Sequence, residues 1–367
     1  MQESISQYFK RVFNLRNRVQ KPKKTPSEDA TCLVNTSAGM VSRIQNERNQ
    51  TATASTRASQ LEPKIAILLC TYQGQKYLAD QLNSIESQTY KNWQVWASDD
   101  ASHDKTWGIL ESYKKKWGEK SLTLHIGPSR GFAENFMSMV SKVDIVADFY
   151  AYSDQDDIWE IDKLKRDTAW LASVADDTPA LYCSRTQLVD ASDNSVGHSP
   201  LFTRPPSFAN ALMQNIGGGN TMVFNNAARK LLAQSSKGSR VITHDWWTYL
   251  VVTGCGGRVF YDDKPSLRYR QHGNNVVGMN STWRARNARI RMLWQGHFKS
   301  WNDINIQLLQ EMRSSLTPEN LKILDQYAES RNLSLIPRLV GFKRSGIHRQ
   351  TLLSNLGLIV GAIFNKI

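Results

Sequence analysis

Three carboxylates lie close together directly after an apolar, aromatic-rich segment of the chain. Asp154, Asp156 and Asp157 follow residues 149–153, whose composition is typical of a buried strand. Ionised carboxylates at this spacing repel each other, and a divalent cation relieves the repulsion. Magnesium typically binds one or two carboxylates and fills its other positions with water and substrate phosphates. The pattern therefore predicts a metal-bridged phosphate site, although a polar turn before a helix that begins near Trp159 would look similar.

The segments around these carboxylates alternate between strand-like and helix-like patterns. Apolar runs predict strands at residues 65–70, 93–98, 122–126 and 149–153. Helical periodicity covers residues 75–88, a segment that ends near residue 117, and residues 132–146. This alternation predicts an α/β fold with a mostly parallel central sheet flanked by helices.

Polar residues follow three of these predicted strands. Thr71 and Tyr72 follow the first, Asp99 and Asp100 follow the second, and residues 154–157 follow the fourth. The carboxyl ends of parallel strands form one edge of the sheet, where ligands bind, so we expect the three clusters to converge. The chain has neither a Gly-x-Gly-x-x-Gly nor a Gly-x-x-x-x-Gly-Lys pattern, and therefore no dinucleotide or P-loop site is indicated.

The net charge of +13 is concentrated near the two ends of the chain. Residues 9–24 hold seven Lys or Arg, residues 330–367 hold six, and neither stretch contains Asp or Glu. Basic ends around a nearly neutral body predict contact with an anionic surface and argue against a nucleic-acid groove. Four scattered cysteines without a Cys-x-x-Cys pair favour a reducing cytoplasm. No signal peptide or membrane span is predicted.

Composition divides the chain into three predicted parts. Residues 1–62 combine a basic amphipathic segment with a flexible linker, residues 63–279 hold the α/β domain, and residues 280–367 form a helical, basic extension. Such basic amphipathic segments lie on anionic membranes, and we therefore expect peripheral association with the inner face of the plasma membrane. Helices that pack on the α/β domain or on another subunit are the alternative.

Six motifs resemble, in the same order, those of the family-2 inverting glycosyltransferases with the GT-A fold. They are ILLCTYQG (67–74), SDDASHDKT (98–106), SDQDDIW (153–159), GGGNT (217–221), HDWW (244–247) and YRQHGNN (269–275). The resemblance runs from about residue 64 to residue 275. Within the family, the pattern is most similar to bacterial rhamnosyltransferases of rhamnan and O-antigen assembly.

The resemblance implies a site for a nucleoside-diphosphate sugar. Thr71 and Tyr72 would line the nucleotide pocket. Asp100, or its neighbour Asp99, would accept a hydrogen bond from the base, because a carboxylate suits an imide N–H donor. Asp154 would approach the ribose.

The resemblance also implies a metal on the donor diphosphate. Asp156 would hold Mg²⁺ or Mn²⁺, which acts as a Lewis acid for the leaving group. His272 would add a metal ligand or a hydrogen bond to phosphate. Arg130, near a predicted helix start, is a further phosphate candidate, or else an ordinary surface charge.

A general base is needed to take the proton of the attacking sugar hydroxyl. Asp245 occupies the family's base position, although a residue at a helix start also interacts favourably with the helix dipole. His244 is the alternative base, since its pKa suits neutral pH. Trp246 and Trp247 offer flat faces for a sugar ring, with core packing as the alternative.

The glycine-rich motif would lie between donor and acceptor. Gly218 and Gly219 would let the backbone approach a ligand, or would form a simple turn. Asn220 follows them, and we assign it, together with Asp157, to the same acceptor and diphosphate region.

We therefore expect an inverting, metal-dependent glycosyltransferase. The expected donor is dTDP-rhamnose, or alternatively a UDP-hexose, and the expected acceptor is a lipid-linked or growing saccharide of a surface polysaccharide. A nucleotidyltransferase is less favoured, because the first strand is followed by no basic residue before Lys76. A membrane-bound scaffold with an inactive domain is the non-enzymatic alternative.

Overall fold

Eleven strands form two sheets in the computed structural model, which describes residues 62–235, 240–271, 291 and 295–367. In chain order they are β1 (Ile65–Thr71), β2 (Trp93–Asp99), β3 (Leu122–Ile126), β4 (Phe149–Ser153), β5 (Ile158–Trp159), β6 (Ala180–Ser184), β7 (Gln187–Val189), β8 (Ser195–His198), β9 (Val223–Asn225), β10 (Arg258–Asp262) and β11 (Leu267–Arg270).

Helices connect and cover these strands. In the described residues they are α1 (Leu78–Glu86), α2 (Thr106–Trp117), α3 (Phe132–Ser141), α4 (Lys163–Leu171), α5 (Phe208–Ala211), α6 (Asn226–Ser235), α7 (His244–Gly254), α8 (His297–Glu311), α9 (Pro318–Ser330), α10 (Leu335–Ser345) and α11 (Leu352–Ile363). Short 3₁₀ turns lie at Gly219–Thr221 and Arg313–Ser315.

The larger sheet has the strand order β10-β6-β9-β4-β1-β2-β3. Strand β1 pairs in parallel with β2 and β4, and β2 pairs in parallel with β3. Only β9 runs antiparallel within this sheet, between β4 and β6. All residues of β1 and β4 are buried, as expected for strands covered by helices on both faces. The predicted α/β fold with a mostly parallel central sheet is confirmed.

The smaller sheet, with the order β5-β11-β7-β8, corrects one expectation from the sequence. The residues around Trp159 form a short strand, not the start of a helix, and Trp159 pairs with Leu267 of β11. The Trp159 amide donates to the Ser84 hydroxyl of α1 at 3.0 Å, so a side chain satisfies this group without a helix. Helix α4 begins only at Lys163.

Helix α3 is shorter than its sequence pattern predicts. It ends at Ser141, and Lys142 has extended backbone angles, whereas apolar periodicity continues to residue 146. The Arg229 guanidinium donates to the carbonyl oxygens of Val140 and Lys142. These contacts satisfy carbonyls that a helix end leaves unpaired, and they stop the helix at this position.

The described part of the C-terminal extension packs against the α/β body. The Asn320 side chain at the start of α9 donates to the carbonyl oxygens of Thr253 and Gly254, at the end of α7, at 2.9 and 3.1 Å. Gln350, between α10 and α11, donates to Asn210 of α5 at 3.2 Å. No helix within the described ranges is long and apolar enough to cross a membrane. The three-part domain division stays a prediction, and residues 1–61 and 272–290 lie outside the described residues.

A buried ion pair supports the sheet behind the glycine-rich loop. Lys163 and Asp167, one turn apart on α4, are both completely buried, with Nζ 2.7 Å from Oδ2. The Lys163 ammonium also donates to the Thr221 carbonyl at 3.3 Å and lies 5.0 Å from the Trp159 ring centre. Burial raises the pKa of Asp167, and the neighbouring Lys163 ammonium partly opposes the rise, so that the pKa is about 6. The pair therefore joins α4 to the loop that precedes β9.

We predict that Lys163→Met lowers the free energy of unfolding by roughly 3 kcal/mol or more, because it leaves Asp167 buried without its cation. Urea unfolding followed by circular dichroism measures the change. The double variant Lys163→Met/Asp167→Leu should regain much of the loss. Lys116→Met, which removes the exposed pair with Glu86, is the matched control and should change stability by less than about 1 kcal/mol. Equal losses in the single and double variants would contradict this account.

Candidate active site

Thr71 and Asp99 join the carboxyl ends of β1 and β2. The Thr71 hydroxyl donates to Asp99 Oδ1 at 2.7 Å, and Ser102 donates to the same carboxylate through its amide at 2.9 Å and its hydroxyl at 2.6 Å. Both Thr71 and Asp99 are buried, whereas Tyr72 is 57% exposed. Asp99 therefore organises the loop that follows β2, and Tyr72 presents its ring to the edge of the sheet.

Asp100 holds the loop that follows β3. Its two carboxylate oxygens accept hydrogen bonds from the amides of Ser129 at 2.6 Å and Gly131 at 2.8 Å. Arg130, between these two residues, is exposed on the same loop. A carboxylate has about four acceptor positions, so two remain on Asp100 for a further donor. Asp100, which is predicted to contact the nucleotide base, and Arg130, which is predicted to contact a phosphate, therefore lie on two loops that these hydrogen bonds join.

Backbone strain is concentrated in these loops. Gln73, Ala101 and Ser129 have positive φ angles of 54°, 65° and 55° although none is glycine. The Gln73 amide donates to the Ser102 hydroxyl at 2.8 Å, which ties the loop after β1 to the loop after β2. Residues in this region of φ are held there by surrounding contacts and often mark ligand sites.

The acidic cluster after β4 holds carboxyl groups whose ionised forms are unfavourable. Burial, together with the charges of Asp156 and Asp245, raises the pKa of Asp154 to about 8. Asp157 is completely buried, and burial, followed by the charges of Asp156 and Asp154, raises its pKa well above the usual range. Asn220 partly offsets this by donating to Asp157 Oδ2 at 2.7 Å. The structure thus brings Asp245 into electrostatic contact with the cluster.

This cluster has the chemistry of a divalent-cation site. Asp157 Oδ1 is buried and has no hydrogen-bond partner among the residues that the structure describes. Mutual repulsion of carboxylates and an unsatisfied buried oxygen are both relieved by a cation with oxygen ligands. Within the described ranges, no three His, Cys, Asp or Glu side chains are arranged to hold a metal by themselves. Mg²⁺ often needs only one or two carboxylates when phosphates complete its ligands. The second predicted ligand, His272, lies outside the described residues.

Three polar side chains to which the sequence analysis assigned no role fix the backbone of this cluster. The Gln155 amide group donates to the Tyr72 carbonyl and accepts from the Tyr72 amide, both at 2.8 Å. With its amide oriented to satisfy its neighbours, Gln81 donates to the Asp157 carbonyl at 2.6 Å. Arg270, which is buried, donates to the Asp156 carbonyl at 3.3 Å. Gln155 and Arg270 carried a signal in the sequence, as parts of the acidic motif and of the YRQHGNN motif, whereas Gln81 carried none.

His244 lies inside an aromatic cage. Its ring stacks on Phe136 with ring centres 4.0 Å apart and meets the edge of Tyr152 at 4.7 Å. It is buried, and neither ring nitrogen has a hydrogen-bond partner within the described ranges. Burial lowers the pKa of His244 to about 4, and the charge of Asp245 only partly opposes this. His244 is therefore neutral at pH 7.

Asp245, Trp246 and Trp247 begin helix α7 with different surroundings. Asp245 is partly exposed and accepts a hydrogen bond from the Trp246 amide at 2.7 Å. Trp246 donates from its indole to the Ala211 carbonyl at 2.7 Å, and Trp247 donates to the Ser235 hydroxyl at 2.9 Å. Trp247 is only 1% exposed and Trp246 is also buried. Both rings pack in the core, and their burial favours the alternative of core packing over the predicted stacking on a sugar ring.

The glycine-rich motif forms an ordered 3₁₀ turn against this helix start. A Cβ at Gly219 would lie 2.2 Å from His244 Nε2, and one at Gly218 would lie 2.6 Å from Asn220 Oδ1. Such distances are far below van der Waals contact. Glycine therefore fits these two positions because His244 and Asn220 occupy the space that a Cβ would need. This reason differs from the predicted one, which was the close approach of a ligand.

Comparisons with known proteins identify part of the chain. Residues 66–234 match the family model for glycosyl transferase family 2. The matched segment includes every predicted site residue from Thr71 to Asn220 and ends before Asp245. Among curated proteins, the chain is 28% identical over 241 residues to the dTDP-rhamnosyl transferase RfbG of Shigella flexneri. That alignment covers 61% of this chain and 78% of the relative.

Solved structures give more distant likenesses. The structure of S. aureus TarS 1–349 in complex with UDP-GlcNAc has a TM-score of 0.46 and 15% identity, and the match covers 82% of this chain and 81% of that one. The mannosyltransferase PcManGT from Pyrobaculum calidifontis, in complex with GDP-Man and Mn²⁺, has a TM-score of 0.44 and 15% identity. That match covers 84% of this chain and 86% of the other.

We predict that His244 makes the protein less stable in acid. Its folded pKa of about 4 lies below the value of about 6.5 in an unfolded chain, so between these pH values the unfolded state binds more protons. The free energy of unfolding should therefore fall by roughly 3 kcal/mol as the pH drops from about 6.5 to about 4. Urea unfolding at a series of pH values measures the slope.

The variant His244→Leu should show a correspondingly weaker dependence on pH over the same range. His198→Leu, which changes an exposed histidine of β8, is the matched control and should keep the wild-type slope. If His244→Leu and the wild type lose stability equally on acidification, His244 is not buried in its neutral form.

Proposed function

Given that this chain is a family-2 glycosyltransferase with the GT-A fold, we propose that it transfers L-rhamnose from dTDP-rhamnose to a saccharide hydroxyl, with inversion at the anomeric carbon. The observation that carries the assignment of a single site is the raised pKa of Asp154, to which burial contributes most, followed by the charges of Asp156 and Asp245. It indicates that the donor-side carboxylates and the candidate base act on one another across a single site.

In this proposal Asp245 is the general base. The acceptor oxygen forms a bond to the anomeric carbon, on the face opposite the diphosphate, while its proton moves to the Asp245 carboxylate. The bond between the anomeric carbon and the diphosphate oxygen breaks, and the nucleoside diphosphate leaves with the electron pair. The partial exposure of Asp245 allows a saccharide to reach it. His244 is a poorer candidate, because it is buried and burial lowers its pKa to about 4.

The residues of the acidic cluster divide the remaining tasks. Asp156, with His272 as a second ligand expected from the sequence, would hold Mg²⁺ or Mn²⁺. When bound, such a cation neutralises charge that develops on the departing diphosphate. Asp154 would bind the ribose, while Asn220 orients Asp157 through its 2.7 Å hydrogen bond. Asp100, in the loop after β2, would bind the base, and the exposed Arg130, in the loop after β3, would bind a phosphate.

The choice of donor and acceptor rests on similarity. A relative that is 28% identical is named a dTDP-rhamnosyl transferase, and we extend that donor to this chain, with a UDP-hexose as the second choice. We propose a lipid-linked or growing surface polysaccharide as the acceptor, at the inner face of the plasma membrane. A nucleotidyltransferase is disfavoured because the loop after β1 lacks a basic residue before Lys76.

The donor site is tested by titration calorimetry. Wild-type protein should bind dTDP more tightly than UDP or GDP, and only when Mn²⁺ or Mg²⁺ is present. Asp156→Ala should weaken this binding by at least about tenfold, because the diphosphate loses its bridging cation. Asp176→Ala, which removes an exposed carboxylate on the loop after α4, is the matched control. Failure of all three nucleotides to bind under any condition would favour the inactive scaffold instead.

The base is tested by Asp245→Asn, which keeps the shape of the side chain and removes its basicity. We expect kcat for sugar transfer to a rhamnosyl oligosaccharide to fall by about 10²–10⁴-fold, with the affinity for the nucleotide almost unchanged. Release of the nucleoside diphosphate measures turnover. Asp176→Asn makes the same replacement at an exposed aspartate outside the site, and this control variant should keep full activity. Retention of activity in Asp245→Asn would exclude this residue as the base.

A further inference from the structure

Helix α11 is amphipathic, but its apolar face is turned to solvent, whereas a typical surface helix turns that face to the core. Its large apolar side chains point outward: Leu352 is 91% exposed and Leu353 is 70% exposed. Leu356, Ile359 and Ile363 continue the exposed stripe at spacings of three and four residues. The buried face carries the small residues Gly361 and Ala362. A surface of this kind is unfavourable in water and marks a contact site.

The neighbouring helix α10 adds a second exposed apolar group. Leu335, Ile336 and Val340 are exposed there, and Lys343 and Arg344 follow in the last turn, also exposed. Residues 331–367 contain six Lys or Arg and no Asp or Glu. Exposed leucines and isoleucines next to Lys and Arg, without acidic residues, are typical of helices that lie in the headgroup region of anionic membranes.

The two helices are fixed in place with these side chains exposed. Arg338 of α10 is buried and donates to the Ala362 carbonyl of α11 at 2.8 Å and to the Leu333 carbonyl at 2.7 Å. Between the helices, Gln350 donates to the Arg204 carbonyl at 3.1 Å. The exposed stripe is therefore held in a fixed orientation by contacts on the opposite side of the helix, and no rearrangement is needed to present it.

We propose that this exposed face, formed by the outward side chains of α10 and α11, docks the protein on an anionic lipid bilayer. With 12 residues, α11 is shorter than the roughly 20 residues that a membrane span requires, so it lies along the surface. The inference identifies the surface for the membrane location proposed above, and its test requires neither donor nor acceptor. It can therefore fail while the glycosyltransferase activity stands, and the reverse also holds.

A second copy of the chain is the main competing occupant. Two copies that met through this face would bring only like charges together, because every charged side chain in residues 331–367 is cationic. Anionic headgroups offer the opposite charge and a boundary into which the apolar stripe can insert. Charge complementarity thus favours the bilayer.

The test is flotation of purified full-length protein with vesicles of phosphatidylcholine alone or with 30% phosphatidylglycerol, a composition chosen as about one anionic lipid in three. Wild-type protein should bind the anionic vesicles at least about tenfold more tightly. The triple variant Leu352→Gln/Leu356→Gln/Ile359→Gln should lose about tenfold or more of this affinity. Because all three side chains are exposed, the variant should fold and keep its nucleotide binding.

Matched controls test whether vesicle binding is specific to this face or comes from any exposed apolar or cationic side chain. Ile126→Gln/Val143→Gln/Val146→Gln changes exposed apolar residues elsewhere on the molecule and should leave vesicle binding unchanged. Lys343→Gln/Arg344→Gln should weaken binding, whereas Lys115→Gln/Lys120→Gln, on and just after α2, should not. Unchanged vesicle binding in the triple variant would overturn the proposal. So would a wild-type dimer in sedimentation velocity that the triple variant converts to a monomer without any vesicle binding.

Discussion

The crowding of carboxylates after β4 is the constraint on which the rest of the site depends. Like charges that are both close and buried are unfavourable, and burial together with the neighbouring carboxylates raises the pKa values of Asp154 and Asp157. Gln81 and Arg270 donate to main-chain carbonyls of the acidic segment, and Gln155 pairs with the backbone of Tyr72. These contacts fix the backbone of the segment, and a positively charged ligand would relieve the repulsion between its carboxylates.

The strands and their parallel order could be predicted because buried parallel strands are continuous apolar runs. Residues 65–70 and 149–153 stand out in this way, and the polar clusters that begin at Thr71 and Asp154 follow directly at their carboxyl ends. The strand at Trp159 and the end of α3 at Ser141 could not be predicted. Both depend on partners far away in the chain, the pairing with Leu267 and the Arg229 contact to carbonyls, which local periodicity does not contain.

The same limit applies to the helix start at residues 244–247. Sequence order marked His244, Asp245, Trp246 and Trp247 as a motif, but the roles of neighbouring residues depend on which face of α7 each occupies. His244 and Trp247 face the core, whereas Asp245 faces solvent and the acidic cluster. Only the packing of Phe136 and Tyr152 around the imidazole distinguishes a buried histidine from a base, and no spacing rule contains that information.

The uneven charge distribution keeps two proposed functions apart in the sequence. One is the binding of a cation and a diphosphate at the acidic cluster, and the other is attachment to an anionic surface. A cationic surface around the acidic cluster would compete with a divalent cation for the carboxylates and for the donor diphosphate. In the sequence, the excess charge falls in residues 9–24 and 331–367, and the acidic segment at residues 154–157 lies in neither stretch. In the proposed docking mode, the exposed apolar stripe of α11 follows the same division, because large exposed apolar patches mark contact surfaces. Catalytic chemistry and surface attachment can then change independently in sequence.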